Sequence, residues 1–536
     1  MIRPRAAEAY RRGLFVHTTL ADALRAAAET SPRRTVLVDN DTRLDCATLY
    51  TQADRLASAL LARMAPGSVV SFMLPNWHEA AVVYLAATLA GMVVNPILPS
   101  LRDHDLRFIL EDAQTAMIFV PHRFGGDDFA AMLDRVTAAM ATAPEVVVLR
   151  GSKTGGSHTP YAALFEDSGA STPPALDPDS VRMVLYTSGT TGRPKGVLHS
   201  HNSLHALIRQ IRDHWAVDPG DTFLVPSPIA HIGGSIYAFE CPLLLGTTAV
   251  LMDRWDPAAA VALMNGERCT HMAGATPFLQ QLLSAAERAG TRLPDLKVFI
   301  CGGASVPPSL ILRAAAYFDR AVVTRVYGCT EVPVATVGAP RQDEADRAAD
   351  TDGRPGIADI KLVAHEAAPA GDGEIRVHGP QMLLGYRHPE DDADAFDDEG
   401  FFRTGDLGRW VQHRQDRYLV VTGRAKDVII RSGENISAKE VEDLLAEHPG
   451  IAEIAVVGLP DERTGERACA VIVPAGAARP DVASLLAFLT AKGVAKFKAP
   501  EQVAIWDALP KNDAGKILKH RIRAALMQAS TQTRDG

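Results

Sequence analysis

Cysteine is sparse and dispersed in this chain. The six cysteines, Cys46, Cys241, Cys269, Cys301, Cys329 and Cys469, form no CxxC pair. A disulfide-stapled scaffold is thereby excluded, and the thiols are expected to be reduced and mostly buried, as in a cytosolic protein. Positive charge is also in deficit. A formal net charge of −9 over 536 residues argues against a nucleic-acid partner, which needs a basic face. Membrane-length apolar runs are missing too. Met1 to Arg12 has arginines with no apolar stretch behind them, so no secretory leader is expected. The longest candidate, Ala80 to Leu98, is interrupted by Gly91 and Asn95-Pro96 and diluted by alanine. A buried helix, a turn and a buried strand fit it better than a transmembrane segment. There is no internal repeat. A composition 47% hydrophobic and 22% charged excludes disordered and fibrous classes, and the length implies more than one domain.

What is present is a loop of unusual composition, Tyr186-Thr187-Ser188-Gly189-Thr190-Thr191-Gly192-Arg193-Pro194-Lys195-Gly196. It follows an apolar β-like run, Val181 to Leu185, and leads toward a helix expected near Asn202 to Ile211. Glycines let backbone approach an anion; N–H groups, hydroxyls and an ammonium then supply donors. The spacing is not that of a Walker loop, because Pro194 precedes Lys195 and Gly196 follows it.

Elsewhere, strand-like and helical segments alternate. Thr19 caps a helix to Glu29, and a strand at Val36 to Val38 precedes a helix at Ala47 to Arg63. Strands are expected at Val69 to Leu74, Ala116 to Val120 and Glu145 to Leu149, with helices at Glu79 to Leu89 and Leu106 to Asp112. After a Gly/Ser/Thr/Pro-rich connection, Gly151 to Asp179, further strands are expected at Thr222 to Val225, Ala249 to Met252, Lys297 to Cys301 and Val322 to Tyr327. This is the alternation of an α/β protein with largely parallel sheets. Ligands bind beyond the carboxyl ends of such strands, which groups Ser227 to His231, Gly302-Gly303-Ala304 and Gly328 to Glu331 as parts of one site. From Ile360 the segments become shorter and more β-like (Ile360 to Val363, Gly373 to His378, Tyr418 to Thr422). A compact βαββαβ piece follows Lys426, ending in a basic helix at Ile517 to Met527. His199-Ser200-His201 with His205 has no cysteine or carboxylate at a supporting metal spacing, and Ser200 to Asn202 reads as a helix cap.

Five separated motifs carry the chemistry: Thr187 to Gly196; Tyr327-Gly328-Cys329-Thr330-Glu331; Phe402-Arg403-Thr404-Gly405-Asp406-Leu407; Gly423-Arg424 through Ser432-Gly433-Glu434-Asn435-Ile436; and Leu509-Pro510-Lys511-Asn512-Asp513-Ala514-Gly515-Lys516. Singly, each admits a bland reading: Asp406 a turn residue, Glu331 a solvated carboxylate, Tyr327 core. In this order and spacing they resemble the adenylate-forming superfamily of acyl-CoA synthetases, luciferases and adenylation domains, over nearly the whole chain. The resemblance implies an α/β (α+β overall) architecture. A large N-terminal domain of stacked α/β sheets plus a β segment, 1–425, would precede a small mobile α+β domain, 426–536, hinged at Lys426.

The resemblance further implies ATP, Mg2+ and coenzyme A. It assigns Thr187, Ser188, Gly189, Thr190, Thr191, Gly192 and Lys195 to phosphates, Thr330 and Glu331 to the metal, and Gly302, Gly303, Ala304, Tyr327 and Gly328 to adenine. Asp406 and Arg424 fall to the ribose, Lys516 to catalysis of adenylation, and Ser432, Gly433 and Glu434 to the pantetheine arm. His231, Gly233, Gly234, Tyr237, Cys329 and Val332 fall where the family shapes its acyl pocket, with Cys329 standing where many relatives have Met or Ser. Amino-acid-activating relatives carry an aspartate at the place of Ile232, which cannot pair an ammonium. The expected substrate is therefore a hydrophobic carboxylic acid, medium-chain, alicyclic or aromatic. Leu74 to Glu79 and Asn95-Pro96-Ile97 are similar to cyclohexanecarboxylate and medium-chain acid–CoA ligases. The leading expectation is a cytoplasmic acid–CoA ligase; many relatives self-associate, but the sequence itself does not show the oligomeric state. The alternatives are a stand-alone adenylase loading a carrier-protein pantetheine and a non-catalytic adenylate-binding relative; the retained Lys195, Glu331, Asp406 and Lys516 speak against the latter.

Overall fold

A computed structural model of the chain describes residues 2–151, 158–166, 173–188, 193–303, 306–368, 371–432, 434–477, 479–512 and 515–532. The apolar runs fold into two large sheets. One has seven strands in the order Val322–Arg325, Val298–Cys301, His271–Gly274, Thr222–Val225, Thr248–Leu251, Thr35–Asp39, Thr42–Asp45, parallel except for the last. The other has eight and contains Val69–Phe72, Val93–Pro96, Thr115–Pro121 and Glu145–Leu149 in parallel. Short β runs buried on both faces need helices above and below, which is why the pattern alternates.

The helix His78–Leu89 explains the run that could have been mistaken for a membrane span. It touches Thr35–Asp39 of one sheet and Val69–Phe72 and Val93–Pro96 of the other, and every residue from Ala80 to Leu89 is buried. A helix enclosed on all sides is apolar on all sides. Among the described residues no helix is long and apolar enough to cross a membrane.

One sequence expectation needs correction, and the turn reading that Asp406 admits singly is set aside. The phosphate loop is not a strand–loop–helix turn. Val181–Ser188 and Pro194–Ser200 form an antiparallel hairpin, with Thr187 opposite Lys195 and Ser188 opposite Pro194, so Lys195 sits on a strand. The helix His201–His214 begins only after that strand, capped by Ser200 as expected. The motif containing Asp406 is not a turn either, for it lies within the strand Phe402–His413. That strand belongs to a four-stranded antiparallel sheet with Asp359–Val363, Gly373–His378 and Asp416–Arg424. The central strand His271–Gly274 has no counterpart among the strands expected from sequence, since HMAG carries no β-branched residue.

The last part has its own sheet, Glu434–Ile436, Ile429–Arg431, Gly465–Pro474, Ile451–Asp461, with Gln502–Ile505 on Gly465–Pro474. Two apolar clusters here draw their buried residues only from Ile429 to Leu526. Contacts back to the preceding part include Ser437 Oγ to the Thr422 carbonyl, and Asn435 Nδ2 to the Glu366 carbonyl at 3.0 Å.

A buried polar triad ties the phosphate strand to the segment around His231. Arg182 Nη2 lies 2.7 Å from Glu240 Oε1, Tyr84 Oη donates to the same oxygen at 2.6 Å, and Arg182 Nη1 donates to Tyr84 Oη at 2.9 Å. Removing one partner of such a pair strands the other charge, at a cost of about 3–5 kcal/mol, whereas replacing both with apolar residues is often near neutral. Glu240→Ala is expected to lower the denaturant midpoint of the N-terminal unfolding transition far more than the double substitution Arg182→Met/Glu240→Leu. Equal losses would show that the pair itself, not the stranded cation, carries the stability.

Candidate active site

The strand order of the seven-stranded sheet places the carboxyl ends of Thr222–Val225, His271–Gly274, Val298–Cys301 and Val322–Arg325 side by side. Ser227 to His231, Gly302-Gly303 and Tyr327 to Glu331 leave from these ends, as the sequence implied. Gly302 packs so closely on Val326 that a Cβ there would meet the Val326 carbonyl oxygen at 3.0 Å, and Gly303 takes φ +81°. Ala304 lies outside the described residues, as do Gly189, Thr190, Thr191, Gly192, Gly433, Asp513 and Ala514.

Asp406 and Arg424 are cross-strand partners in the antiparallel sheet, with Arg424 Nε 3.0 Å from Asp406 Oδ1. The other oxygen of Asp406 accepts from Tyr327 Oη at 2.8 Å. The Tyr327 ring, expected to face a base, is thus fixed through its hydroxyl, which burial and Asp406 hold far above its ordinary pKa. A carboxylate has about four lone-pair positions, so Asp406 retains acceptors beyond these two partners.

On the hairpin side, Tyr386 Oη donates to Glu331 Oε1 at 3.0 Å and Thr187 Oγ1 lies 3.5 Å from the same oxygen. The Lys195 ammonium stands over the Tyr386 ring, 5.0 Å from its centroid. His199 Nε2 bonds the Thr330 carbonyl at 2.8 Å, which orients Thr330-Glu331; the histidines near Ser200 thus serve the fold. Cys329 bridges the two halves. Its thiol is pushed well up by burial, by neighbouring Glu331, with which it also hydrogen-bonds, and by Asp406. Contacts therefore run from Lys195 through Tyr386 to Glu331 and Cys329, and from Tyr327 through Asp406 to Arg424, with Cys329 in the field of Asp406 between the two runs.

Lys516 comes from the C-terminal part, within the field of Arg424 and Asp406. Its loop is closed by the Lys516 N–H on Asn512 Oδ1 at 2.8 Å and the Asn512 N–H on the Lys516 carbonyl at 2.9 Å. Gly515 rests against Pro277 and Ala275 of the preceding part. Burial, with Arg424 and Lys426 nearby, holds the Lys516 ammonium below the usual lysine range, against the opposite pull of Asp406 and Asp427. Lys426 itself is exposed in the short turn Ala425–Asp427. Ser432 takes φ +51° with its N–H on the Thr464 carbonyl at 2.7 Å, and Glu434 is exposed on a neighbouring strand.

The acyl-pocket candidates divide. His231 precedes a short helix, Ile232–Ser235, which continues as a π-helical turn, Ile236–Glu240; such turns recur at functional sites. His231 Nε2 is buried without a hydrogen-bond partner, and burial lowers its pKa. Gly233 is exposed with open space at its Cβ position. Gly234 is constrained instead, since a Cβ would sit 2.1 Å from the Pro228 carbonyl oxygen. Tyr237 is buried and stacked on Phe223 at 5.2 Å, so it belongs to the core behind this segment, with Ile232, Val326 and Val334 packed against the same cluster. Val332 is buried in the cluster containing Tyr386 and Phe402. Asn76, from the segment that carried the closer sequence likeness, staples Ser227 to Ile229: its Nδ2 donates to the Val225 and Ser227 carbonyls and its Oδ1 accepts from the Ile229 N–H.

Sequence reasoning missed Tyr386, Arg193, Asp391 and His199. Arg193 and Lys195 both pair with Asp391, at 2.8 and 3.3 Å. A Gly-Tyr-Arg followed by an acidic run was visible, but nothing in one sequence says that it lies beside the hairpin. Two other features are separate. A hollow of about 280 Å³ lined by Asn76, Pro99, Arg102, Phe124, Ala230 and others opens next to His231, and neither Lys195, Glu331, Asp406, Arg424 nor Lys516 lines it. The only His/acid cluster of metal-binding spacing among the described residues is Asp39, His78 and Glu79. Its charge is met by Arg150, which bonds Glu79 at 2.7 and 2.8 Å and stacks on Trp77.

The hairpin strand with Lys195 and the Asp406–Arg424 pair thus come from separate sheets, and Lys516 from the C-terminal part of the chain. The chain belongs to the adenylate-forming, AMP-binding enzyme family: the family described as AMP-binding enzyme matches residues 24–387, and its C-terminal domain matches residues 440–516. It is 35% identical to a medium-chain fatty-acid–CoA ligase of Escherichia coli (strain K12), covering 98% of this chain and 93% of the relative. It is 33% identical to a salicylyl-CoA synthase / salicylate adenylyltransferase of Streptomyces sp, covering 97% and 96%. Among solved structures it resembles ATP-bound MatB from Rhodopseudomonas palustris, with a TM-score of 0.82 and 29% identity over 95% of this chain and 99% of that one.

The surroundings of Lys516 make a direct expectation. In a pH titration of its reactivity toward an amine-acylating reagent, Lys516 should ionise below an ordinary lysine. Asp406→Asn should lower the midpoint further, and Lys426→Gln should raise it. A midpoint at or above that of a free lysine would contradict the arrangement.

Proposed function

We propose that this protein is an acid–CoA ligase that activates a hydrophobic carboxylic acid in two steps. ATP and the acid give an acyl-adenylate and pyrophosphate, and the thiol of coenzyme A then displaces AMP to give the thioester. The observation that supports this most is that Lys195, Glu331, Asp406 and Arg424, from four separated motifs, stand in two adjoining runs of contacts, with Lys516 of the fifth motif within the field of Asp406 and Arg424.

In the first step a carboxylate oxygen attacks the α-phosphorus and the bond to the bridging oxygen of pyrophosphate breaks, so the work is positioning and neutralising charge. Lys195, with Thr187 and the motif residues Ser188 to Gly192, takes the β- and γ-phosphates. Asp406 accepts the ribose hydroxyls with Arg424 keeping it ionised and oriented, and adenine lies along Gly302 to Ala304 beside Tyr327 and Gly328. Lys516 is placed to bridge the acid's carboxylate and the α-phosphate. Magnesium fits the donor set: Glu331 supplies a hard carboxylate, the rest of the shell being phosphate and water, with Thr330 beside it. That ion would screen phosphate charge.

The acyl group lies along His231 to Gly234 with Cys329, Val332 and the apolar cluster behind Tyr237. Ile232 offers no carboxylate for an ammonium, which supports an uncharged acid body. The names of the relatives, a medium-chain fatty acid in one case and salicylate in another, are consistent with that class.

The second step needs Lys516 withdrawn and the Ser432-Gly433-Glu434 loop brought in. The separate apolar core of Ile429 to Leu526 supports a division into 1–425 and 426–536 with the hinge at Lys426. A second reading is a stand-alone adenylase that loads a carrier-protein pantetheine; it is favoured by the adenylyltransferase named among the relatives.

A pyrophosphate-release screen over fatty, alicyclic and aryl acids, with free coenzyme A or a pantetheinylated carrier as acceptor, separates these readings. The ligase reading expects acid-dependent release and thioester on free coenzyme A; thioester on the carrier alone would establish the adenylase. Lys516→Ala is expected to reduce adenylate formation by about 10²-fold or more, the scale of a lost charge-stabilising donor. Thioester formation from preformed acyl-adenylate should survive. Equal loss of both steps would refute the two-arrangement mechanism.

A further inference from the structure

The phosphate hairpin carries its own anion. Asp391 Oδ1 is 3.3 Å from Lys195 Nζ and Asp391 Oδ2 is 2.8 Å from Arg193 Nη2. One carboxylate is therefore shared, oxygen by oxygen, between the two cations of the hairpin. The contact is sheltered, with the Asp391 side chain 12% exposed and Lys195 18%, so solvent screens it less than a surface pair.

The turn presenting Asp391 is built rather than incidental. Strand Gly385–Tyr386 pairs with Pro194–Ser200 through Val197 and Tyr386, which carries the following turn Pro389–Asp392 to the hairpin. The Asp391 N–H donates to the His388 carbonyl at 2.9 Å, and Asp392 Oδ1 accepts from the Tyr386 N–H at 2.8 Å. His388 is in turn held by Asp112 at 2.6 Å. Two oxygens spaced to meet a lysine and an arginine have the shape and charge of a phosphate edge.

We propose that Asp391 is an internal competitor for the terminal phosphates of ATP and for pyrophosphate. Its carboxylate yields Lys195 and Arg193 when those anions bind and reclaims them when pyrophosphate leaves. The inference rests on the reading of Lys195 as a phosphate ligand. ATP and pyrophosphate offer the same terminal phosphate groups, so the competition weakens both alike. A uniform effect of this kind shifts KM and leaves the chemical barrier unchanged. Its benefit falls on product release, because a doubly or triply charged pyrophosphate would otherwise be slow to leave the sheltered Lys195 and its half-exposed neighbour Arg193.

Asp391→Asn keeps the side chain's size and removes its charge. Binding of ATP with magnesium, measured by calorimetry without any acid, is expected to tighten by about tenfold, equivalent to roughly one charge-assisted contact. The inhibition constant of pyrophosphate against ATP should fall by the same factor, while KM for the acid stays unchanged. Asp391→Ala should shift both in the same direction, and Glu390→Gln, which removes the same charge from an exposed neighbour, should leave both within about twofold. Unchanged or weakened ATP binding in Asp391→Asn and Asp391→Ala would overturn the proposal. Lys195→Ala tells the two levels apart. If it weakens ATP binding while the Asp391 variants do not tighten it, only the competitor role fails; if it leaves ATP binding intact, the assignment of Lys195 fails as well.

Discussion

The carboxylate of Asp406 is the point on which the site closes. It receives Tyr327 from the parallel sheet and Arg424 from the antiparallel one, and its field acts on Lys516 from the last body of the chain. Cations from distant segments repel when gathered, and a partly buried gathering holds only if anions stand between them. Asp406 meets that need at one end of the site, Glu331 lies in the middle, and Asp391 meets it at the hairpin. On the proposed reading, each of these carboxylates sits beside groups that a nucleotide's phosphates or hydroxyls would also engage, so one set of charges serves both fold and binding.

Much of this was legible in the chain because the motifs are local. Thr19, Ser200 and Asp481 cap helices where hydroxyl or carboxylate side chains precede amphipathic runs. Apolar strands such as Thr222–Val225 fall where β-branched and aromatic residues cluster between turns. The five spaced motifs that contain Lys195, Glu331, Asp406, Arg424 and Lys516 carry the family resemblance in the sequence itself, and the family assignment agrees with that resemblance.

What was not legible depends on pairing between remote segments. A local reading of Thr187 to Gly196 suggested a loop feeding a helix, yet Thr187 faces Lys195 across a hairpin, because the register is set by strand partners outside the motif. Asp406 looked like a turn residue by its glycine neighbour, but Gly405 at φ +67° merely adjusts the strand ahead of it. Tyr386 and Asp391 reach the site only through the short strand Gly385–Tyr386 added at the sheet edge; two residues of pairing leave no periodic signal. Tyr237, expected at the acyl pocket, stacks on Phe223 instead, since aromatic residues at helical spacing serve core and pocket alike.

The central claim is that these segments form one nucleotide site at which an organic acid becomes a mixed anhydride. Exchange of labelled pyrophosphate into ATP, run with magnesium and a panel of hydrophobic acids but with no thiol acceptor, isolates that step. The account predicts exchange that depends on the acid and disappears in Asp406→Ala. Absence of exchange with every acid, or exchange indifferent to the acid and to Asp406, would contradict it.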